Sequence, residues 1–129
     1  MVRDFRLKRL PASFKYAARG VWHVLRTEQN LQIHFLTTLL VVALALWLHV
    51  SLIELAILVL TVGFVLASEI LNSVIEDFLD VIHPRHHPSV GRIKDVLAGS
   101  VLLSALVAVV VGLLIFVPHL VATVRGGAI

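Results

Sequence analysis

The sequence predicts an all-α membrane protein in which a basic amphipathic surface helix precedes three transmembrane helices. Composition carries the first half of this reading: 59% of the 129 residues are hydrophobic, 15% are charged, and the mean hydropathy is +0.98. A soluble domain of this length needs far less apolar surface. Charge placement carries the second half, because seven of the eleven Lys and Arg residues precede residue 27 and long hydrophobic stretches follow. The pI near 10.0 would also suit a nucleic-acid partner, but a basic segment beside so apolar a remainder fits a membrane surface better. The chain is read as one domain, 1–129, with no nucleic-acid partner. The absence of Cys removes disulfides, thiolate nucleophiles and thiolate metal sites.

Residues 1–30 lack the apolar run and small-residue cleavage site of a secretory signal, so the segment is expected to stay attached. From Ser13, read as an N-cap after Pro11, Phe14, Ala17, Ala18, Val21 and Leu25 recur at helical spacing, while Lys15, Arg19 and Arg26 take another face. Tyr16 and Trp22 suit the headgroup boundary. A simple electrostatic anchor would explain the basic residues equally, but it leaves Glu28 without a purpose.

Leu31–Ile53 has no Asp, Glu, Lys or Arg over 23 residues, about 34 Å of helix against a hydrocarbon core of roughly 30 Å. This is the first span, 31–53, and His49, Val50 and Ser51 mark a tight hairpin at its far end. The second helix returns from Glu54, spans the membrane to about residue 75 and extends to Ile82, where Pro84 and Pro88 break it. A loop follows. Val96–Val124 is uncharged for 29 residues and supplies the third span, about 96–122, before a loose Gly126-Gly127 tail. Lys and Arg number seven in the N-terminal segment, three in the 85–94 loop, none in the hairpin and one in the tail. The positive-inside rule then puts the N-terminus and the second loop in the cytoplasm.

The chemistry is concentrated in Glu69-Ile70-Leu71-Asn72-Ser73-Val74-Ile75-Glu76-Asp77-Phe78-Leu79-Asp80, directly after the uncharged run Leu55–Ser68. At about 100° per residue, Glu69, Asn72, Glu76 and Asp80 share a stripe roughly 80° wide. Ionisable groups at the end of a hydrophobic span are costly unless they face protein, water or a cation, so the stripe is a candidate magnesium-phosphate site. Measured from Glu54, Glu69 lies about 22 Å along the axis and Glu76 about 33 Å. The first is at the acyl boundary and can meet a lipid headgroup. The second lies just outside and can meet a soluble phosphate with a hydrated cation.

Ser13-Phe14-Lys15-Tyr16-Ala17, Glu28-Gln29-Asn30 with Ile33-His34, the Glu69–Asp80 stretch and Gly91-Arg92-Ile93-Lys94-Asp95 resemble, in order and over nearly the whole chain, the prokaryotic diacylglycerol kinase and undecaprenol kinase family. The resemblance implies a homotrimeric bundle of three-span subunits that phosphorylates a membrane lipid alcohol with ATP and magnesium. It makes Glu69 the catalytic base, Glu28 and Glu76 the magnesium ligands, and Asn72 a site-organising residue. Tyr16, Glu28, Glu76, His87, Lys94 and Asp95 form the nucleotide-binding set, with Lys94 holding a phosphate and Asp95 organising the nucleotide end. Independently of family, a carboxylate near hydrocarbon is a stronger base, and hard oxygen donors suit magnesium.

Each residue also has a plainer reading. Glu69 can serve as an interhelical hydrogen-bond partner, Glu76 as a solvated helix-end charge and Lys94 as a positive-inside anchor, while Asp77 and Asp80 are assigned to solvent. His83, His86 and His87 fall in a Pro-broken loop and make no zinc site; His87 is the best placed to touch a phosphate or ribose. No Gly-rich phosphate loop is present. A non-enzymatic ion-conducting or assembly subunit would also carry carboxylates, but a conduction path needs polar groups through the whole depth. Ser13-Phe14-Lys15-Tyr16, Ile33-His34, His83-Pro84 and His87-Pro88 look more like the undecaprenol branch. Sparse donors, with Ser68 and Ser73 the nearest hydroxyls, lean the same way; diacylglycerol stays the alternative. Gly63, Ala67, Ala98, Gly99, Ser104 and Gly112 offer small faces for close helix contact.

Overall fold

The computed structural model describes residues 10–83 and 87–126. They form four helices, α1 (Leu10–Thr27), α2 (Gln29–Trp47), α3 (Leu52–Ile82) and α4 (Pro88–Gly126). The last three are long and apolar enough to cross a membrane. Residues 1–9, 84–86 and 127–129 lie outside the described residues, and with them part of the basic segment, one of the two expected helix-breaking prolines (Pro84), His86 and Gly127 of the tail.

Helix α1 already runs at Leu10, so Ser13 sits inside it and is not its N-cap. Pro11 explains the earlier start, since a proline in the first turn sacrifices no intrahelical hydrogen bond. Glu28 alone separates α1 from α2, with an extended backbone of φ −99° and ψ 111°. The bend is stitched by Gln32, whose Nε2 donates to the carbonyls of Leu25 at 3.1 Å and Arg26 at 3.3 Å. Those are end carbonyls of α1 that otherwise lack partners.

Helix α2 ends at Trp47, earlier than the expected Ile53. Leu48 caps it, His49 takes a left-handed φ of 52°, and His49 N–H and Val50 N–H donate to the carbonyls of Leu46 and Ala45. This is a Schellman stop with His in the place that usually holds Gly. Ser51 then opens α3: its Oγ accepts from Glu54 N–H at 3.3 Å, and the Glu54 carboxylate accepts from Ser51 N–H at 2.8 Å. The reciprocal capping box moves the start of α3 to Leu52, ahead of Glu54. Its end at Ile82 is where the sequence puts it.

Pro88 opens α4 instead of breaking a helix, so Gly91, Arg92, Lys94 and Asp95 are helical and not in a loop. Gly126 also belongs to α4 rather than to a loose tail.

Helix α3 is the hub, packing most extensively on α4, then on α2, with α1 touching α2 and α3. The buried core of Ala45, Leu48, Leu58, Ile115 and Phe116 lies at the hairpin end, with Val50 and Leu55 packed on it. There His119 of α4 reaches Glu54 at 3.5 Å, and its Nδ1 lies 2.9 Å from the Ile115 carbonyl. Of the small residues, Ser104 is buried within the chain, whereas Gly63 and Gly99 would meet nothing with an added Cβ. Large apolar side chains cover the remaining faces, among them Leu40, Leu60, Leu103 and Leu114. Such a surface is stable only in contact with lipid or other apolar chains.

Ala45, 1% exposed where α2 meets the core, gives a direct check of this packing. Ala45→Leu should destabilise the fold by about 1–3 kcal/mol through overpacking, read as a lowered unfolding midpoint in SDS titration at fixed detergent. An unchanged midpoint would mean that the core is placed wrongly.

Candidate active site

About three turns of α3 carry the stripe from buried to exposed. Glu69 is 2% exposed, Asn72 and Ser73 are buried, Glu76 is half-buried, and Asp77 and Asp80 are exposed. The gradient follows from helix geometry, because each turn carries the stripe about 5.4 Å further from the apolar body of the bundle. Asn72 Nδ2 donates to Glu76 Oε1 at 3.3 Å. Its Oδ1 is buried without a hydrogen-bond partner. A buried, unpartnered acceptor is costly and points to a donor from a ligand or water. Ser73 donates to the Glu69 carbonyl at 3.1 Å and Ser68 to the Phe64 carbonyl at 2.8 Å, so both of these nearest hydroxyls spend their protons on backbone.

Lys94 comes to the stripe from α4. Its Nζ lies 2.5 Å from Asp80 Oδ1, so Asp80 is an ion-pair partner and not a merely solvated charge. Lys94 precedes the uncharged stretch that begins at Val96. The hydrogen bond it donates to Asp80, partly opposed by desolvation, holds its ammonium above the usual range, with added attraction from Asp80, Glu76 and Asp77. The other expected residues stand apart. Glu28 is half-buried at the α1–α2 bend, and Asp95 is exposed on α4. Tyr16 is exposed on α1 beneath Arg19, 5.8 Å from its ring centroid. His87 accepts from Ser89 N–H at 3.2 Å through Nδ1 and lies 6.4 Å from the His83 ring, at the start of α4. Among the described residues no hydrogen bond or ion pair joins Tyr16, Glu28, His87 or Asp95 to the stripe.

Above the stripe, α2, α3 and α4 enclose an open apolar cavity of about 530 Å³ that reaches from His34, Val65 and Ala105 to Leu44 and Phe116. Val65 is one turn before Glu69, so the α3 wall of the cavity leads to the buried carboxylate. The hydroxyls of Thr37, Thr38 and Thr61 on its walls all donate to backbone carbonyls of their own helices. Composition could not reveal this cavity, since its lining comes from three helices. Among the described residues no three His, Asp or Glu side chains converge as a metal cluster. The carboxylate oxygens of Glu76 are hard donors of the kind magnesium takes one or two at a time, with water and phosphate in its other positions.

The family profile described as "Prokaryotic diacylglycerol kinase" matches residues 15–116. The chain belongs to this family. It is 39% identical over 114 residues to the undecaprenol kinase of Bacillus subtilis (strain 168), covering 88% of this chain and 93% of that protein. It is 37% identical over 114 residues to a diacylglycerol kinase of Synechocystis sp. (strain ATCC 27184 / PCC 6803 / Kazusa), covering 88% of this chain and 65% of that protein. The diacylglycerol kinase of Escherichia coli (strain K12) is 33% identical over 104 residues, with 81% of this chain and 85% of that protein covered. The protein is an integral membrane lipid kinase, and the resemblance read from its residues is borne out.

Three features escaped the sequence reading. The Ser51–Glu54 capping box was legible in a Ser-x-x-Glu spacing before an apolar run. The Glu54–His119 and Asp80–Lys94 contacts join separate helices and leave no local signal. Because Asn72 orients the kinase's Glu76 carboxylate, Asn72→Leu should lower turnover by about 10–100-fold, the scale for losing a partner that aims a ligand. Assay of the variant in mixed micelles checks this, and turnover near that of the parent would remove Asn72 from the site.

Proposed function

We propose that the protein transfers the terminal phosphoryl group of ATP to the hydroxyl of undecaprenol, giving undecaprenyl phosphate, at the cytoplasmic face of a prokaryotic plasma membrane. One observation carries the reading: an apolar cavity ends one helical turn from a buried carboxylate, and the hydroxyls on its walls are spent on backbone. A polyprenol has only its alcohol to satisfy. Diacylglycerol brings two esters that want donors. His34, half-buried at the cavity's edge with no hydrogen bond from its ring, is the feature that favours the second lipid.

In this reading Glu69 takes the hydroxyl proton as the oxygen attacks phosphorus. Glu76, oriented by Asn72, and Glu28 hold magnesium, which neutralises phosphate charge. Lys94 binds a phosphate, Asp95 organises the nucleotide end, and Tyr16 and His87 flank the nucleotide. Because no hydrogen bond or ion pair among the described residues joins Glu28 or Tyr16 to the stripe, nucleotide binding would draw α1 toward the stripe or a neighbouring subunit would complete the site. The open small-residue faces at Gly63 and Gly99 suit helix contacts in a homotrimer. Helix α1, with Arg26 4.7 Å over the Trp22 ring and Phe14 and Val21 exposed, suits a place in the headgroup layer.

The test is incubation of purified protein with labelled ATP, magnesium and either undecaprenol or dioleoylglycerol at equal surface fraction. Higher kcat/KM with undecaprenol is expected; a reversed preference overturns the substrate while leaving the kinase. Glu69→Gln keeps size and hydrogen bonding but removes basicity, and should lower turnover at least about 100-fold, the scale of general-base loss. Near-parental turnover would show that Glu69 is not the base.

A further inference from the structure

Glu76 and Asp80 lie one turn apart on the same side of α3, and Lys94 reaches that side from α4. Three carboxylates compete for this one ammonium. Asp80 wins the direct contact, while Glu76 and Asp77 act on Lys94 only through space. Among the described residues Glu76 has one side-chain hydrogen bond, from the Asn72 amide, and no direct ion pair. A lysine ammonium on a flexible stem that lost its contact to Asp80 would move to the next nearest carboxylate, and Glu76 is one turn away.

We infer that Asp80 is a positioning residue: it parks Lys94 away from Glu76 and so keeps Glu76 open to a divalent cation until a phosphate draws Lys94 off. The inference rests on reading Glu76 as a cation ligand. The exposure of the pair supports it, since side-chain accessibilities of 33% for Lys94 and 64% for Asp80 make the ion pair weak and exchangeable. A phosphate with its several charges outcompetes one such carboxylate. A buried pair would hold Lys94 permanently.

The experiment measures Mn²⁺, as a stand-in for magnesium, binding to the full-length protein with a non-hydrolysable ATP analogue, followed by electron paramagnetic resonance alongside magnesium titration of activity. Asp80→Asn should weaken Mn²⁺ binding and raise the half-saturating magnesium concentration by about two- to five-fold, the range of an exposed ion pair. The kcat at saturating magnesium should stay near the parent's, and Asp80→Glu should restore both values. The deciding comparison places Asp80→Asn in a Lys94→Ala background, where no ammonium remains to fall onto Glu76, and the extra weakening should vanish. Equal weakening in both backgrounds would mean that Asp80 acts by its own charge, and unchanged Mn²⁺ binding would mean that it has no such role; either result overturns the inference. Because the binding arm needs no turnover, a parent inactive on every lipid would defeat the substrate proposal separately.

Discussion

A carboxylate cannot be buried among apolar helices without help, and Glu69 is buried there with 2% exposure. Removing such a group from water costs several kcal/mol unless its surroundings compensate. That constraint explains why α3 runs unbroken over 31 residues and why the other helices gather on it. Only a continuous helix satisfies its own backbone while it carries side chains from lipid depth into water. The stripe then grades from a buried Glu69 through a half-buried Glu76 to an exposed Asp80. One element thereby presents carboxylates at successive degrees of burial, from fully enclosed to solvent-facing.

The hairpin end solves the opposite problem with little polar material. A Schellman stop at His49 and a capping box at Ser51 use most of the free backbone groups between α2 and α3, and Val50 and Leu55 fold onto the adjoining core. With Glu54 tied to Ser51 and near His119, the far ends of α3 and α4 are held together. The opposite ends are joined more loosely, through the exposed Asp80–Lys94 pair. The molecule is therefore closed at one end, and its apolar cavity lies between that closed end and the carboxylates.

The cavity and the stripe divide the chemical work. Cavity threonines satisfy their hydroxyls on backbone, so the walls offer a tail contact area with few directional demands. The stripe keeps polar groups unspent among the described residues: Asn72 Oδ1 is buried without a partner, and the one side-chain hydrogen bond to Glu76 comes from the Asn72 amide. Apolar shape and unsatisfied polarity meet within one turn, between Val65 and Glu69.

How much was legible in the sequence follows from how local each determinant is. Three hydrophobic helices, the tight hairpin, the end of α3 at Ile82 and the shared face of Glu69, Asn72 and Glu76 depend on composition and on a 3.6-residue period, which one chain segment carries by itself. Family membership was legible for the same reason, as motifs within single segments. Helix starts were less so, because Ser13 read as the cap after Pro11 and Pro88 read as a stop, although proline opens a helix as readily as it ends one, and the neighbours decide which. What only the tertiary structure decided is whatever needs two helices at once: Asp80 holding Lys94, His119 reaching Glu54, and a cavity walled by α2, α3 and α4. Residues 14 and 65 positions apart in sequence have no periodic relation, and only the packing of α4 on α3 brings those side chains within reach.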